Sequence, residues 1–175
     1  MKKILETERL ILRELVVNDA ENLWKLNSDK EVIKFTGDSS FKSMNQAKIF
    51  LQNYQDYKTN GFGRWAVVFK ESLEFIGWCG LKLNEEKEID IGFRFFRKHW
   101  NKGYATESAM AVIEYGFKHL DIREIIGRSA IENAASVSVL KKLNMEFYKI
   151  GNCEGIKNSV YYRINKEHFN QAESL

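Results

Sequence analysis

A mixed α/β fold, one largely antiparallel sheet with a single parallel pair and helices packed against it, is predicted by three features of this chain. Residues 64–96 hold three β-rich runs separated by short polar turns, which reads as an antiparallel meander. Residues 103–120 carry apolar residues at helical spacing. Strand candidates precede and follow that helix, and two strands joined through a helical crossover run parallel.

Taken in order, Arg9 to Leu15 is the first strand candidate, and Asn18 and Asp19 offer a cap for a helix through Ala20, Leu23, Trp24 and Asn27. Ser43 and Gln46 have capping-box spacing. They open a helix whose apolar face is Ala47, Phe50, Leu51, Tyr54 and Tyr57. Gly61 and Gly63 bracket a turn before strands at Arg64–Phe69 and Phe75–Leu83. Glu88 to Phe96 alternates: Glu88, Asp90, Gly92 and Arg94 on one face, Ile89, Ile91, Phe93 and Phe95 on the other. The helix at 103–120 follows, then a strand at Ile122–Ala130 and a helix opened by Asn133 through Val137, Leu140 and Leu143. Strands at Phe147–Ile150 and Val160–Ile164 close the order β, α, α, β, β, β, α, β, α, β, β.

With 175 residues, 44% of them hydrophobic, and no repeat or linker, one domain over residues 1–175 is expected. A domain of this size buries roughly 70% of its unfolded surface. The formal net charge is +3, so bulk charge gives no case for nucleic acid. No apolar run reaches the ~18 residues of a membrane span. The opening MKKILETERL lacks the apolar stretch of a secretory signal. The cysteines Cys79 and Cys153 read as free thiols in a reducing compartment, the cytoplasm. His99, His119 and His168 have no ligand spacing, so no metal is expected.

The chemistry-bearing segment is RKHWNKGYATES. Arg94, Arg97, Lys98, His99 and Lys102 cluster before a helix entrance marked by Gly103. A helix N-terminus presents unpaired N–H groups and partial positive charge, and glycine lets backbone approach a phosphate. A diphosphate-bearing ligand at residues 100–105 is the functional reading; a solvated basic turn that caps a helix is the alternative. Neither a Walker loop nor a dinucleotide glycine fingerprint is present.

The segment IGFRFFRKHWNKGYATESAMAVIEYGF resembles the coenzyme-binding core of the GNAT superfamily of N-acetyltransferases, and more narrowly the RimJ/RimL-like branch with its E-I-G-Y and W-G-K-G-Y-A-T-E-A pattern. TERLILR at 7–13, FIGWCGL at 75–81 and NAASVSVLKKLNM at 133–145 match further motifs of that branch in the same order. Two departures stand out. Asn101 replaces a frequent glycine, tolerable if the backbone avoids an obligatory positive φ, which asparagine bears better than most residues. Asn144-Met145 replaces Gly-Phe, and asparagine can also end a helix in the left-handed conformation.

The resemblance implies a GNAT-like fold and acetyl-CoA as cosubstrate. It implies a pantetheine arm along Phe93, Arg94 and Phe95, and a pyrophosphate on the amides of Trp100, Asn101, Lys102, Gly103, Tyr104, Ala105 and Thr106. Asn133 is implied as a pantetheine contact that also caps its helix. Asp90 matches the Glu of E-I-G-Y and is the candidate base, with Glu88 as the spare and an ordinary exposed carboxylate as the plain alternative. Position 140, where many relatives carry an acid tyrosine, is Leu140; Ser136 is the candidate near the sulfur. An acetyl-cysteine route through Cys79 is disfavoured, because no basic partner lies near it in sequence.

The implied activity is acetyl transfer to a primary amine, small molecule or protein N-terminus, by direct attack in a ternary complex. A non-catalytic acyl-CoA-binding module is the alternative, and a nucleic-acid protein using residues 94–102 ranks last. Expected acceptor walls are Ile33–Phe41 and Gly151–Asn158, with Lys157 and Glu154 facing substrate or water. Homodimers are frequent among similar proteins, and the sequence leaves the oligomeric state open.

Overall fold

The computed structural model describes residues 2–153 and 155–173. Its frame is one eight-stranded sheet in the order β1-β2-β3-β4-β5-β6-β8-β7. The strands are β1 Lys3–Glu6, β2 Leu10–Glu14, β3 Arg64–Phe69, β4 Phe75–Leu83, β5 Ile89–Phe95, β6 Glu124–Ala130, β7 Glu146–Cys153 and β8 Ile156–Asn165. Every neighbour pair is antiparallel except β5 and β6. The expected α/β class, with one parallel pair, is the observed one.

Helix α1 spans Ala20–Ser28, α2 Lys30–Ile33, α3 Met44–Gln52, α4 Asp56–Thr59, α5 Tyr104–His119, α6 Ala134–Lys142 and α7 Lys166–Glu173. The α5 helix lays Ala109, Val112, Ile113, Gly116 and Phe117 against Leu81, Ile91 and Ile125 of the sheet. Phe117 is 1% exposed, a burial that contributes roughly 2–3 kcal/mol. On the other face α1 and α3 cover Ala66, Val68 and Phe75 through Leu23, Leu26, Ala47 and Leu51.

Several local expectations are corrected. Asp19 makes no helix-cap hydrogen bond. It accepts from Val16 N–H at 2.9 Å and takes both guanidinium nitrogens of Arg13 at 2.7 Å, a buried bidentate pair. The Ser43 cap is present: its Oγ accepts from Gln46 N–H at 3.2 Å. That helix stops at Gln52, however, so Tyr54 falls between helices and Tyr57 sits in α4. Their hydroxyls explain the break. Tyr54 accepts from Arg64 N–H at 2.7 Å, and Tyr57 accepts from Leu15 N–H at 2.9 Å while donating to Arg64 C=O, contacts that a continuous helix would not make. Burial pushes both phenols well above their usual range, so they remain neutral. The short strand β1 and helices α2, α4 and α7 carry too little periodicity to be read from sequence.

Candidate functional site

The site begins where the sheet opens. Strands β5 and β6 pair at only two positions, Asp90 with Ile126 and Ile91 with Gly127. Beyond these the strands diverge, and the edge of β5 from Gly92 to Phe95 has no β6 partner. Phe96 N–H donates to Ile76 C=O at 3.1 Å, on the β4 side. Strand alternation therefore turns the backbone groups of Phe93 and Phe95 toward the opening and those of Arg94 toward β4. The Phe95 carbonyl already accepts from Trp100 Nε1–H at 2.8 Å, which leaves Phe93 C=O and the N–H groups of Phe93 and Phe95 facing the gap.

The loop into α5 follows directly. Asn101 (φ +58°) and Gly103 (φ +82°) are both left-handed and flank Lys102. The positive φ that a glycine would serve is thus adopted at residue 101, and asparagine carries it. Trp100 N–H donates to Arg97 C=O at 3.0 Å, so it is committed inside the loop. At the start of α5 the N–H groups of Tyr104, Ala105 and Thr106 have no carbonyl behind them in the helix, and Glu107 N–H makes the first such bond, to Gly103 C=O at 2.9 Å.

This loop is clamped from the turn between β1 and β2. Arg9 donates from Nε to Glu107 Oε2 at 2.7 Å and from Nη1 to Lys102 C=O at 3.2 Å, and lies 4.5 Å from the Tyr104 ring centroid. Its backbone N–H reaches Glu107 Oε1 at 3.0 Å, and Thr7 Oγ donates to the same oxygen. Burial opposes the Glu107 charge, but these donors outweigh it and hold the carboxyl below its usual range. Arg9 and Glu107, 98 residues apart, are joined by a clamp that local sequence spacing does not reveal.

A cavity of about 710 Å³ runs from the gap toward α1 and α3. On the gap side it is lined by Phe93, Arg128, Ser129, Asn133, Ser136 and Leu140. The Asn133 Oδ1 accepts from Ser136 N–H at 3.2 Å, so Asn133 caps α6 while lining the cavity. The helix ends at Asn144, whose φ of +56° is the left-handed terminator. Phe95 and the loop 100–106 lie outside the cavity lining, at the end of β5.

Asp90 lines the cavity at 6% exposure and is not an ordinary exposed carboxylate. Its Oδ2 accepts from Arg64 Nη2 at 3.2 Å and from Arg128 Nη2 at 3.1 Å. Gly92 makes room for this: a Cβ there would stand 2.6 Å from the Arg64 guanidinium. Glu88 is elsewhere. It accepts from Asn84 Nδ2 at 3.1 Å and closes the β4–β5 turn. The Arg94 side chain is buried, donating to Asn27 Oδ1 at 2.6 Å and pairing with Asp38.

The basic stretch is largely neutralised: Arg97 pairs with Asp29 at 2.6 Å and Lys98 with Glu74 at 2.5 Å. Cys79 is fully buried in the core, off the cavity, and burial pushes its thiol up to about 12. Of the expected acceptor walls, Phe35, Thr36, Asp38, Ser39 and Phe41 line the cavity, as do Cys153 and Ile156; Lys157 is exposed and Glu154 lies outside the described residues. Arg64 and Trp78, also on the wall, gave no sequence signal beyond strand alternation.

A family model described as acetyltransferase (GNAT) domain matches residues 9–146. The chain is 34% identical over 145 residues to the uncharacterized N-acetyltransferase p20 of Bacillus licheniformis, covering 81% of this chain and 82% of that one. It is 34% identical over 152 residues to the FsC-acetyl coenzyme A-N(2)-transacetylase of Aspergillus fumigatus, over 78% of this chain and 62% of that protein. The crystal structure of a GNAT-family acetyltransferase from Bacillus anthracis superposes with a TM-score of 0.78 at 28% identity, over 93% and 98% of the two chains. The spermidine N-acetyltransferase of Vibrio cholerae, solved with CoA and spermine, shares the fold with a TM-score of 0.78 at 17% identity, over 92% and 98%. A sheet split beside a left-handed loop and a helix N-terminus thus belongs with a family match across most of the chain, and the protein is a member of the GNAT family, an acetyl-CoA-dependent acetyltransferase.

Proposed function

We propose that residues 1–175 form one cytoplasmic N-acetyltransferase domain of the RimJ/RimL-like branch, which moves the acetyl group of acetyl-CoA to a primary amine by direct attack in a ternary complex. The observation that carries this is the two-residue limit on the β5–β6 pairing, with a cavity and the α5 N-terminus at the opening. An amide-bearing arm adds to the Phe93–Phe95 edge as an extra strand does. A diphosphate suits the N–H groups of Asn101 to Thr106, and Asn133 reaches the arm from the opposite wall. These residues fit CoA, which supplies an activated acetyl thioester when bound.

An amine of pKa near ~10 arrives as ammonium and must lose a proton before nitrogen can attack the carbonyl carbon. Asp90 takes that role: both guanidiniums hold Oδ2, while Oδ1 accepts no hydrogen bond among the described residues. The N–H groups facing the gap beside Phe93 favour the charge that develops on the carbonyl oxygen. As the new N–C bond forms and C–S breaks, the Ser136 hydroxyl donates a hydrogen bond to the departing thiolate, and the second proton leaving nitrogen passes to solvent or to that sulfur. The core position of Cys79 argues against a covalent acetyl-cysteine.

The test is thiol release from acetyl-CoA across a panel of amines, with CoA binding measured by calorimetry. Turnover on at least one amine supports the reading; CoA binding without turnover on any favours the acyl-CoA-binding module. In Asp90→Asn, which keeps acceptors for the two arginines, turnover falls about 100-fold. The loss is largest at low pH, where base assistance counts most; a flat pH response removes Asp90 as the base.

A further inference from the structure

We infer that the acceptor is a small primary amine carried on an aromatic or similarly flat apolar body, with one positive charge, bound against Phe35, Phe41 and Phe50. The inference rests on the acetyltransferase reading above and names the substrate class of the same site.

Five of the charged side chains that line the cavity are occupied with one another. Asp90 holds Arg64 and Arg128, and Asp38 holds Arg94. A polyamine needs several carboxylates to replace the hydration of its ammonium groups. Of the carboxylates lining this cavity, Asp56 alone has no ion pair among the described residues. A singly charged ammonium reaching Asp90 Oδ1 is matched and a second finds only Asp56; the third charge of a polyamine such as spermidine has no carboxylate left.

Three aromatic side chains of the wall are likewise engaged, Phe35 by the Lys34 ammonium 5.3 Å from its ring centroid. Trp78 lies under the guanidiniums of Arg64 and Arg94, 5.2 and 5.3 Å from its ring centroid. The Tyr54 hydroxyl is tied to Arg64 N–H. Phe50 is different. It lies on α3 at 44% exposure, although helical spacing places it on the apolar face with Ala47 and Leu51, which are buried. Phe41 meets it at 5.7 Å between centroids, from the loop that also brings Phe35 to the wall. Exposed phenyl surface lining a cavity whose arginines are paired with Asp38 and Asp90 is complementary to an apolar ligand body.

The experiment compares kcat/KM for 2-phenylethylamine, n-propylamine, spermidine and a glycyl peptide, in the full-length wild type and in Phe50→Ala and Phe50→Leu, with calorimetric CoA affinity alongside. Expected is a preference for 2-phenylethylamine over each of the other three. Phe50→Ala raises its KM about tenfold, the size of one aromatic contact, at little change in kcat or CoA affinity. Phe50→Leu restores part of the loss, and the n-propylamine KM hardly moves. Spermidine or the peptide as the better acceptor, or a Phe50→Ala variant that keeps the wild-type selectivity while binding CoA, overturns the inference. Loss of CoA binding in wild type sinks the acetyltransferase reading instead.

Discussion

On the α5 side of the cleft the chain presents backbone: the edge of β5, two left-handed loop residues and the amides at the start of α5. On the α1 and α3 side it presents side chains, drawn from β3, β4, β5, α1, α3 and the 35–41 loop, with arginine and aspartate paired. Backbone recognition is written in contiguous residues, because a strand, a tight loop and a helix entrance must follow one another in the chain. Side-chain recognition is assembled by packing from parts far apart in the chain, as Arg94 and Asn27 are, separated by 67 residues. The first kind suits a ligand shared across a family, and the second lets acceptor choice change residue by residue.

The largest effect is expected where the acceptor side is anchored. Arg13 and Asp19 are 11% and 5% exposed and fasten the entry of α1 to β2. Arg13→Met leaves a buried carboxylate without its partner, and breaking such a pair costs about 3–5 kcal/mol. A urea unfolding midpoint should drop accordingly. A shift under about 1 kcal/mol would mean that this pair is screened and that α1 is held by apolar contact alone.

A matched pair of variants separates the two sides at intermediate size. Gly92→Ala forces the Arg64 guanidinium away from Asp90, since the new Cβ claims its place. With one of the two guanidiniums that hold its carboxylate displaced, Asp90 is less well positioned, and the KM for amine should rise about tenfold with CoA affinity unchanged. Arg9→Ala releases Lys102 C=O and Glu107 from the clamp and should do the reverse, weakening CoA about tenfold and leaving the amine KM alone. If either variant moves both constants equally, the two sides are energetically one site.

What could be read from the sequence follows the same division. The order of the main elements, the parallel pair and the loop through Asn101 and Gly103 were legible because each is local and periodic. The side chain of Arg94 was misplaced: alternation gave its face, but not the Asp38 and Asn27 that receive it. Glu88 shared that face with Asp90, yet the turn bond to Asn84 removed it from the cavity. Phe50 followed helical spacing and still ended half in solvent, because Tyr54 and Tyr57 left the helix to bind the backbone of Arg64 and Leu15. For Arg94 a contact with distant residues overrode a correct local pattern, and for Glu88 a turn bond four residues back did so.

The smallest effect lies beneath the loop at 100–106. His99 is 8% exposed, edge-on to Phe69 at 5.4 Å and facing Tyr104, and neither ring nitrogen has a hydrogen-bond partner among the described residues. Burial lowers its pKa; Glu74, 3.6 Å away, opposes this, and Lys98 and Lys102 add to it. A histidine whose folded pKa is depressed binds protons first in the unfolded chain. Its share of stability is therefore whole above the unfolded value near ~6.5 and declines as pH falls below it. His99→Phe keeps the aromatic packing and removes the titration. Urea midpoints at about pH 8 should be nearly equal for wild type and variant, and at about pH 5.5 the variant should be the more stable. Were the gap to open at high pH instead, the imidazole would be bonded in a way the structure does not contain. The loop's rigidity would then rest on His99 as well as on the clamp from Arg9.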